Sequence, residues 1–410
     1  MGKYHSLTIF KYENPTGDIE KEYKNRFESP TVIKTNLRIN TEIKGEIKGK
    51  SYLLFLLPIN EVLKLESTIQ ENSRRIIDIM NSLPEIALDQ FFNNTLVNEI
   101  VSTNEIEGVK TLNKEVVDAI SNSDSSKKIR LKSFARMYKK IRNHENPEIK
   151  KLSDIRKIYN FLLEGEIPDD KLPDGKLFRN KSVRIGTDFS TVHKPKDNED
   201  EISEDLNEWI LFINSNDISP IFKVFIAHYF FENIHPFNDG NGRVGRYIAC
   251  VYLGRKLDFL SAITFSNEIN KNKKAYYNSF KEVTSPNNFG EITFFVLKMM
   301  EILASGQKDI ISSMENKKRM LDFLAQFLKN EDQYDSLTKT LLFFYFQSFL
   351  FNHFDSGIED RYIKKITKDY HWTDVRAKLD HLSDEKILKI TKKSPLTRKI
   401  TNEYIEKICK

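Results

Sequence analysis

Cysteine is almost missing from this chain: there are two in 410 residues, Cys250 and Cys409. So few exclude a disulfide framework and fit a reducing compartment. Cys250 falls inside an apolar helical pattern and reads as a small buried residue, and Cys409 as an incidental thiol near the C-terminal end. No sign of charge dominates either, since 64 basic and 59 acidic residues leave a formal charge of +5. Charge alone therefore makes no case for nucleic acid. Long apolar runs are also lacking: the longest, Leu341 to Phe351, is interrupted by Gln347 and Ser348 and is too short to span a bilayer. The opening "MGKYHSLTIFKYENPTG" has no apolar centre of the kind a signal peptide needs. The expectation is a cytoplasmic protein with no membrane partner. No fixed-period repeat or low-complexity tract is visible, which argues against a solenoid. What the chain does have is core-forming material, 39% apolar with 11% aromatic, enough for two or three domains.

Four segments are expected. Residues 1–60 mix short alternating runs ("TVIKTNLRI", "SYLLFLL") with turn-prone pieces, a small α+β lead-in. Residues 61–150 turn helical, with Val62, Leu63, Leu65, Ile69, Ile76, Ile77 and Ile79 on one broad face. Residues 151–305 form a helical core interrupted at "SVRIGTDFSTVHKP", whose alternation reads as a β-hairpin. In residues 306–410, helical pieces precede "TDVRAKLDHLSDEKILKITKKSPLTRKIT", a helix and two short strands around Ser394-Pro395, the order of a winged-helix module.

The chemistry concentrates in "HPFNDGNGRVGR", residues 235 to 246, directly behind the apolar helix "SPIFKVFIAHYFFENI". Pro236 disfavours the α conformation at His235 and ends that helix. Gly240, Asn241 and Gly242 can expose successive backbone N–H groups at the start of a second helix, whose N-terminal end favours an anion. Arg243 and Arg246, three apart, project from the same helix face and can clamp further phosphate oxygens, which favours a polyphosphate. Asp239 is better placed for a Mg²⁺ bridging two phosphates than for phosphate itself. His235 titrates near neutrality and can take a proton from an attacking hydroxyl. Phe237 reads as a core anchor for the loop. A rival reading takes His228, Glu232, His235 and Asp239 as one metal-binding face, although Pro236 and Gly240 break the helix that it requires.

This string resembles the signature of the Fic family, His-x-Phe-x-Asp/Glu-Gly-Asn-Gly-Arg-x-x-Arg, at every specified position. The resemblance spans roughly residues 60 to 305. It implies a mainly α fold, a Fic-type helical bundle with a β-hairpin flap. It also implies transfer of AMP from ATP to a Ser, Thr or Tyr hydroxyl of a protein target, the chain itself included, with release of pyrophosphate. On the resemblance, His235 is the general base and Asp239 the Mg²⁺ ligand. Gly240, Asn241 and Gly242 cradle the α-phosphate, and Arg243 and Arg246 meet the outer phosphates. Doc-like kinases of the same fold carry lysine where Gly242 stands, so the motif favours nucleotidyl transfer over phosphorylation.

Upstream, "STNEIEGVK" fits the family's inhibitory pattern, with Thr103, Glu107 and Gly108 at the named positions. Glu107 is then a brake whose carboxylate reaches Arg246, or a group that orients water to remove AMP from a target. The hairpin resembles the flap that holds a target by strand addition, which assigns Val183, Ile185, Thr187 and Val192 to target binding. Tyr277 is assigned to the nucleotide, with Tyr276 in the core. Thr284 stands where the family pattern leads one to look for an asparagine, with Asn287 and Asn288 just beyond, so base preference is left open. A homodimer that stabilises the inhibited form is a further family expectation. The C-terminal module keeps two readings, DNA binding through a recognition helix and basic wing, or protein contact; Asp374, Asp380, Asp384 and Glu385 weaken the first. The alternative to the enzyme is thus a DNA-binding regulator whose Fic core senses nucleotide.

Overall fold

The computed structural model describes residues 4–43, 45–145, 148–187, 190–352 and 357–409. In chain order the elements are α1 (Leu7–Glu13), α2 (Ile19–Phe27), β1 (Ile33–Ile43), β2 (Glu46–Leu56), α3 (Asn60–Ser82), α4 (Glu85–Ile106), α5 (Asn113–Ser121), α6 (Lys132–Arg142) and α7 (Leu152–Leu162). A 3₁₀ turn (Asp169–Lys171) leads to the hairpin β3 (Ile185–Thr187) and β4 (Ser190–His193). There follow α8 (Glu199–Asn214), α9 (Pro220–Ile234), α10 (Asn241–Lys256), α11 (Phe259–Ala262), α12 (Phe265–Lys271), α13 (Lys273–Val283) and α14 (Thr293–Asn330). The chain ends with α15 (Ser336–Phe351), β5 (Ile358–Glu359), α16 (Asp360–Ile366), α17 (Trp372–Asp384), β6 (Leu388–Lys393), β7 (Leu396–Ile400) and α18 (Asn402–Cys409). The protein is mainly helical with small antiparallel sheets, as expected.

One compact unit comprises residues 1–74 and 96–308. Its lead-in is built on the β1–β2 hairpin, against which α1 and α2 seat an aromatic cluster. Tyr23 stacks on Phe289 with ring centroids 4.9 Å apart, and Arg26 reaches the buried Glu291 at 2.9 Å. The centre of the unit is α9. Pro220 opens it at N1, where a missing N–H costs nothing, and its residues are apolar on nearly every side. A helix of that composition is stable only when enclosed, and α8 and α10 pack against it.

The second unit comprises residues 75–95 and 309–410. Its sheet has the order β5-β7-β6, with α16 and α17 between the first strand and the other two. Val375, Leu379, Leu382 and Ile387 are buried at its centre. Arg398, 1% exposed, contacts the Asp360 carboxylate at 3.2 Å, Asp380 at 2.6 Å and the Leu379 carbonyl at 2.7 Å. Replacing it strands a carboxylate in a poorly solvated place. Arg398→Met is therefore expected to lower the stability of this unit by about 3 kcal/mol, read from the urea midpoint of Trp372 fluorescence. These units differ from the four expected segments. The stretch 61–150 divides at residues 74 and 95, and the last boundary lies at 308, because the divisions fall inside α3, α4 and α14 instead of in loops.

Candidate functional site

The end of α9 and the start of α10 are joined by a turn of six residues, residues 235–240, and part of its backbone is pinned by side chains. His235 caps α9 with φ 52° and ψ 63°, a left-handed conformation that is uncommon for a residue with a Cβ. Pro236 does remove His235 from the helix, but to this region and not to extended backbone. Arg179 holds the turn there. Its Nε donates to the His235 carbonyl at 2.7 Å and its backbone N–H to the Pro236 carbonyl at 2.9 Å. Phe237 is fully buried and stacks on Tyr159 at 4.1 Å, the anchor its sequence position predicts.

Asn241 closes the turn from the other side. Its Oδ1 accepts from the Phe237 N–H at 2.8 Å and its Nδ2 donates to the Phe237 carbonyl at 2.7 Å. The Asn241 side chain is thus spent on the loop, leaving its backbone N–H for an anion. Gly240 has φ +86°, and a Cβ there would stand 2.4 Å from Leu163 Cδ1, so only glycine fits. The first-turn N–H groups of α10 then lack intrahelical acceptors, as at any helix start.

The two arginines, three apart on α10, take different partners within the protein. Arg243 is buried and bonds Asp239 Oδ1 at 3.2 Å, while its Nε and Nη1 have no partner. Lys171 also approaches Asp239, at 3.7 Å. Arg246 turns toward the end of α4. Its Nε donates to Thr103 Oγ1 at 2.9 Å, and its Nη2 to the Thr103 carbonyl at 2.9 Å and to Glu107 Oε1 at 2.7 Å. Glu107 Oε1 lies only 2.2 Å from where a Cβ on residue 242 would be, so this carboxylate sits directly over Gly242. Gly108, at φ +73°, closes the last turn of α4 and lets the chain leave with Glu107 in this position.

Burial controls the titrating groups. Desolvation, reinforced by the nearby His193 and Arg179, lowers the His235 imidazole to about 3, and its Nδ1 has no hydrogen-bond partner. The ring is neutral at physiological pH. Burial opposes the charge on Arg246, but Glu107 outweighs it and the guanidinium stays protonated. Glu232, behind Gly245, is raised to about 8 by burial, against the pull of Arg246. Glu99, fully buried on α4, is raised to about 7 by burial, against hydrogen bonds from Ser266 and Cys250.

These two raised carboxyls give stability a sign. Between their ordinary value of 4.5 and their raised values, the folded chain binds more protons than the unfolded one. Their contribution is complete below pH 4.5 and is lost as pH rises through about 7 for Glu99 and about 8 for Glu232. Glu99→Gln should therefore flatten the decline in urea midpoint from pH 5 to pH 8 relative to wild type. An unchanged or steeper decline would contradict the assignment.

Tyr277 stands at the rim of the cluster, within reach of the charges on Glu107 and Arg246. Tyr277 is 42% exposed and its hydroxyl donates to the Ile106 carbonyl at 3.3 Å, while Tyr276 is buried against His228. Asn288 is buried and bonded to the Glu291 carbonyl. The rival metal face is not assembled. His228 bonds Tyr276 at 2.9 Å, and among the described residues no three His, Cys, Asp or Glu side chains are grouped to hold a metal. The hairpin has Ile185 and Val183 on its entry side; the side chains of Thr187 and Val192 lie outside the described residues, as do Asp188 and Phe189. His193, at its base, has Glu42 Oε1 at 2.8 Å and the Asn233 carbonyl at 2.7 Å.

Sequence reasoning missed Arg179, Lys171 and Glu99, which carry no local signal of their contacts. A cavity of about 340 Å³ lined by Trp209, Lys223, His228, Tyr247 and Tyr252 includes none of His235, Asp239, Arg243 or Arg246 and does not mark the site. No helix among the described residues is long and apolar enough to cross a membrane.

A neutral histidine on a strained turn beside a glycine-led helix start is the geometry set within this helical domain. Residues 149–253 match the Fic/DOC family model, so the chain carries a Fic/DOC domain, of a family generally made of transferases that act on proteins. A crystal structure of a Fic family protein from Desulfovibrio desulfuricans G20 superposes with a TM-score of 0.51 at 17% identity, covering 84% of this chain and 97% of that one. That likeness establishes the fold. A Fic domain containing signaling protein from Bacteroides thetaiotaomicron VPI-5482 aligns at 17% identity and a TM-score of 0.42, covering 60% of this chain and 98% of that one. Fic-1 from C. elegans aligns at 19% identity and a TM-score of 0.43, covering 61% and 73%.

Proposed function

We propose that the protein is an adenylyltransferase that moves AMP from ATP to a hydroxyl side chain of a protein and is restrained by its own Glu107. One observation carries this reading: the Glu107 carboxylate, an anion supplied by the chain itself, lies over Gly242 and against Arg246, where a phosphate of the nucleotide would bind. The free Nε and Nη1 of buried Arg243 point to a second anionic contact.

In this reading the target hydroxyl oxygen attacks the α-phosphorus, its proton passes to neutral His235, and the bond from the α-phosphorus to the bridging oxygen breaks to release pyrophosphate. The first-turn N–H groups of α10 hold the α-phosphate and Arg243 the leaving phosphates. Arg246 is available to the outermost phosphate only when Glu107 has left it. Asp239 is one partly exposed carboxylate beside two cationic side chains, and a single carboxylate completed by phosphate oxygens suits Mg²⁺. Asp239 would hold that ion, which neutralises phosphate charge when bound. β3 and β4 pair only with each other among the described strands, so an outer edge is open to an extended target segment.

The winged-helix-like order of the C-terminal unit supports protein contact over DNA, since Arg398 and Lys378 are already engaged by Asp360, Asp380 and Asp335. The test is label transfer. ATP labelled at the α-phosphate should label protein with the Glu107→Gly enzyme, whereas ATP labelled at the γ-phosphate should not. Transfer of γ-label instead would make it a kinase.

A further inference from the structure

Helix α4 is held to the segment α12–α13 at two levels, both separate from the arginine pair. At the first, Glu99 Oε2 accepts from the backbone N–H groups of Ser266 at 2.8 Å and Asn267 at 3.3 Å, at the first turn of α12. Cys250 Sγ on α10 is 3.4 Å from its other oxygen. At the second, two turns further along α4, the bonds run the other way. Lys273 Nζ donates to the carbonyls of Glu105 at 3.2 Å and Ile106 at 2.8 Å. Tyr277 adds its hydroxyl to Ile106, and Asn270 Nδ2 donates to Glu105 Oε2 at 2.8 Å. The last carbonyls of a helix lack intrahelical donors and carry the negative end of its dipole, so an ammonium there is doubly favourable. Thr103 lies between these two levels, and Glu107 follows directly on the second.

We propose that Glu99 and Lys273 are positioning residues that set the strength of the Glu107 brake, α12–α13 acting as a clamp that must let go of α4 before Arg246 is freed. The inference rests on reading Glu107 as a brake. It places control of the brake on the segment that also presents Tyr277, a residue whose hydroxyl is committed to α4 in this state. Lys273 is part-buried, and its hydrogen bonds to α4 go to backbone carbonyls, so replacing its ammonium leaves no α4 side chain without its partner.

The experiment uses the full chain as wild type, Lys273→Met, Lys273→Arg, Glu107→Gly and the Glu107→Gly/Lys273→Met double variant. Amide hydrogen exchange is read at Glu107, Gly108 and Val109, whose N–H groups bond the carbonyls of Asn104 and Glu105 at the same helix end. Label transfer from α-labelled ATP is read in parallel. Lys273→Met should speed exchange at these three amides and raise transfer, each by about fivefold, the scale of a cation at a helix C-terminus. Lys273→Arg should restore both, and in the Glu107→Gly background Lys273→Met should add nothing to transfer. Unchanged exchange in Lys273→Met overturns the clamp. So does an equal rise in transfer with and without Glu107, because the residue would then act by another route. If Glu107→Gly transfers no label at all, the enzymatic reading fails, while the exchange data still decide the clamp.

Discussion

Glu107→Gly, incubated with Mg²⁺ and α-labelled ATP, is expected to label itself or an added protein about 10- to 100-fold faster than wild type, the factor that loss of one charge-assisted hydrogen bond to a buried arginine implies. The reason is geometric. The Glu107 carboxylate is 2.7 Å from Arg246 Nη2 and occupies the space above Gly242, so an incoming phosphate meets both a filled position and a neutralised cation. Glycine removes the obstacle and leaves Arg246 anchored by its two bonds to Thr103. The arginine therefore remains oriented without its acid, and release gives a competent site instead of a collapsed one. Glu107→Gln offers the control. It fills the same space with no charge and should release only part of the activity. If Glu107→Gly and wild type transfer equally, Glu107 is not a brake.

His235→Ala in the Glu107→Gly background is expected to lower transfer by about 10²- to 10⁴-fold, the range attached to loss of a positioned general base. Nucleotide affinity should hardly change, because the groups assigned to phosphate are backbone N–H groups and arginines on α10. The lowered imidazole adds a second expectation. With its proton lost far below the usual histidine range, to about 3, the base is in its accepting form across physiological pH. The rate of the released enzyme should then show no inflection near pH 6.5, where an unperturbed histidine would half-protonate. An inflection there would mean that the site is wetter than its geometry shows. The price of this arrangement is a weaker base, which fits a hydroxyl activated partly by the phosphate environment.

How much of this was legible beforehand follows the range of the forces involved. Pro236 after an apolar run, the Gly240 to Gly242 start and the alternation of "SVRIGTDFSTVHKP" act over a few residues, so the helix break, the second helix and the hairpin are readable from order alone. The same holds for Phe237 as an anchor, since an aromatic between polar turn residues has few other uses. Spacing placed two residues on one helix face but did not show which protein partner each takes. Arg243 and Arg246 are three apart, yet one turns to Asp239 and the other to Thr103 and Glu107.

The sequence by itself determined a mainly helical protein and a single twelve-residue stretch holding base, carboxylate, glycines and arginines. The family resemblance of the sequence already implied that Glu107 reaches Arg246, 139 residues away; tertiary structure alone decided that Arg179 bends the histidine's backbone and that Glu99 and Lys273 tie α4 to α12–α13. Those contacts depend on which helices pack side by side. Packing is chosen by the burial of whole apolar faces, and no local pattern around a lysine or a glutamate records which carbonyl or amide it will meet.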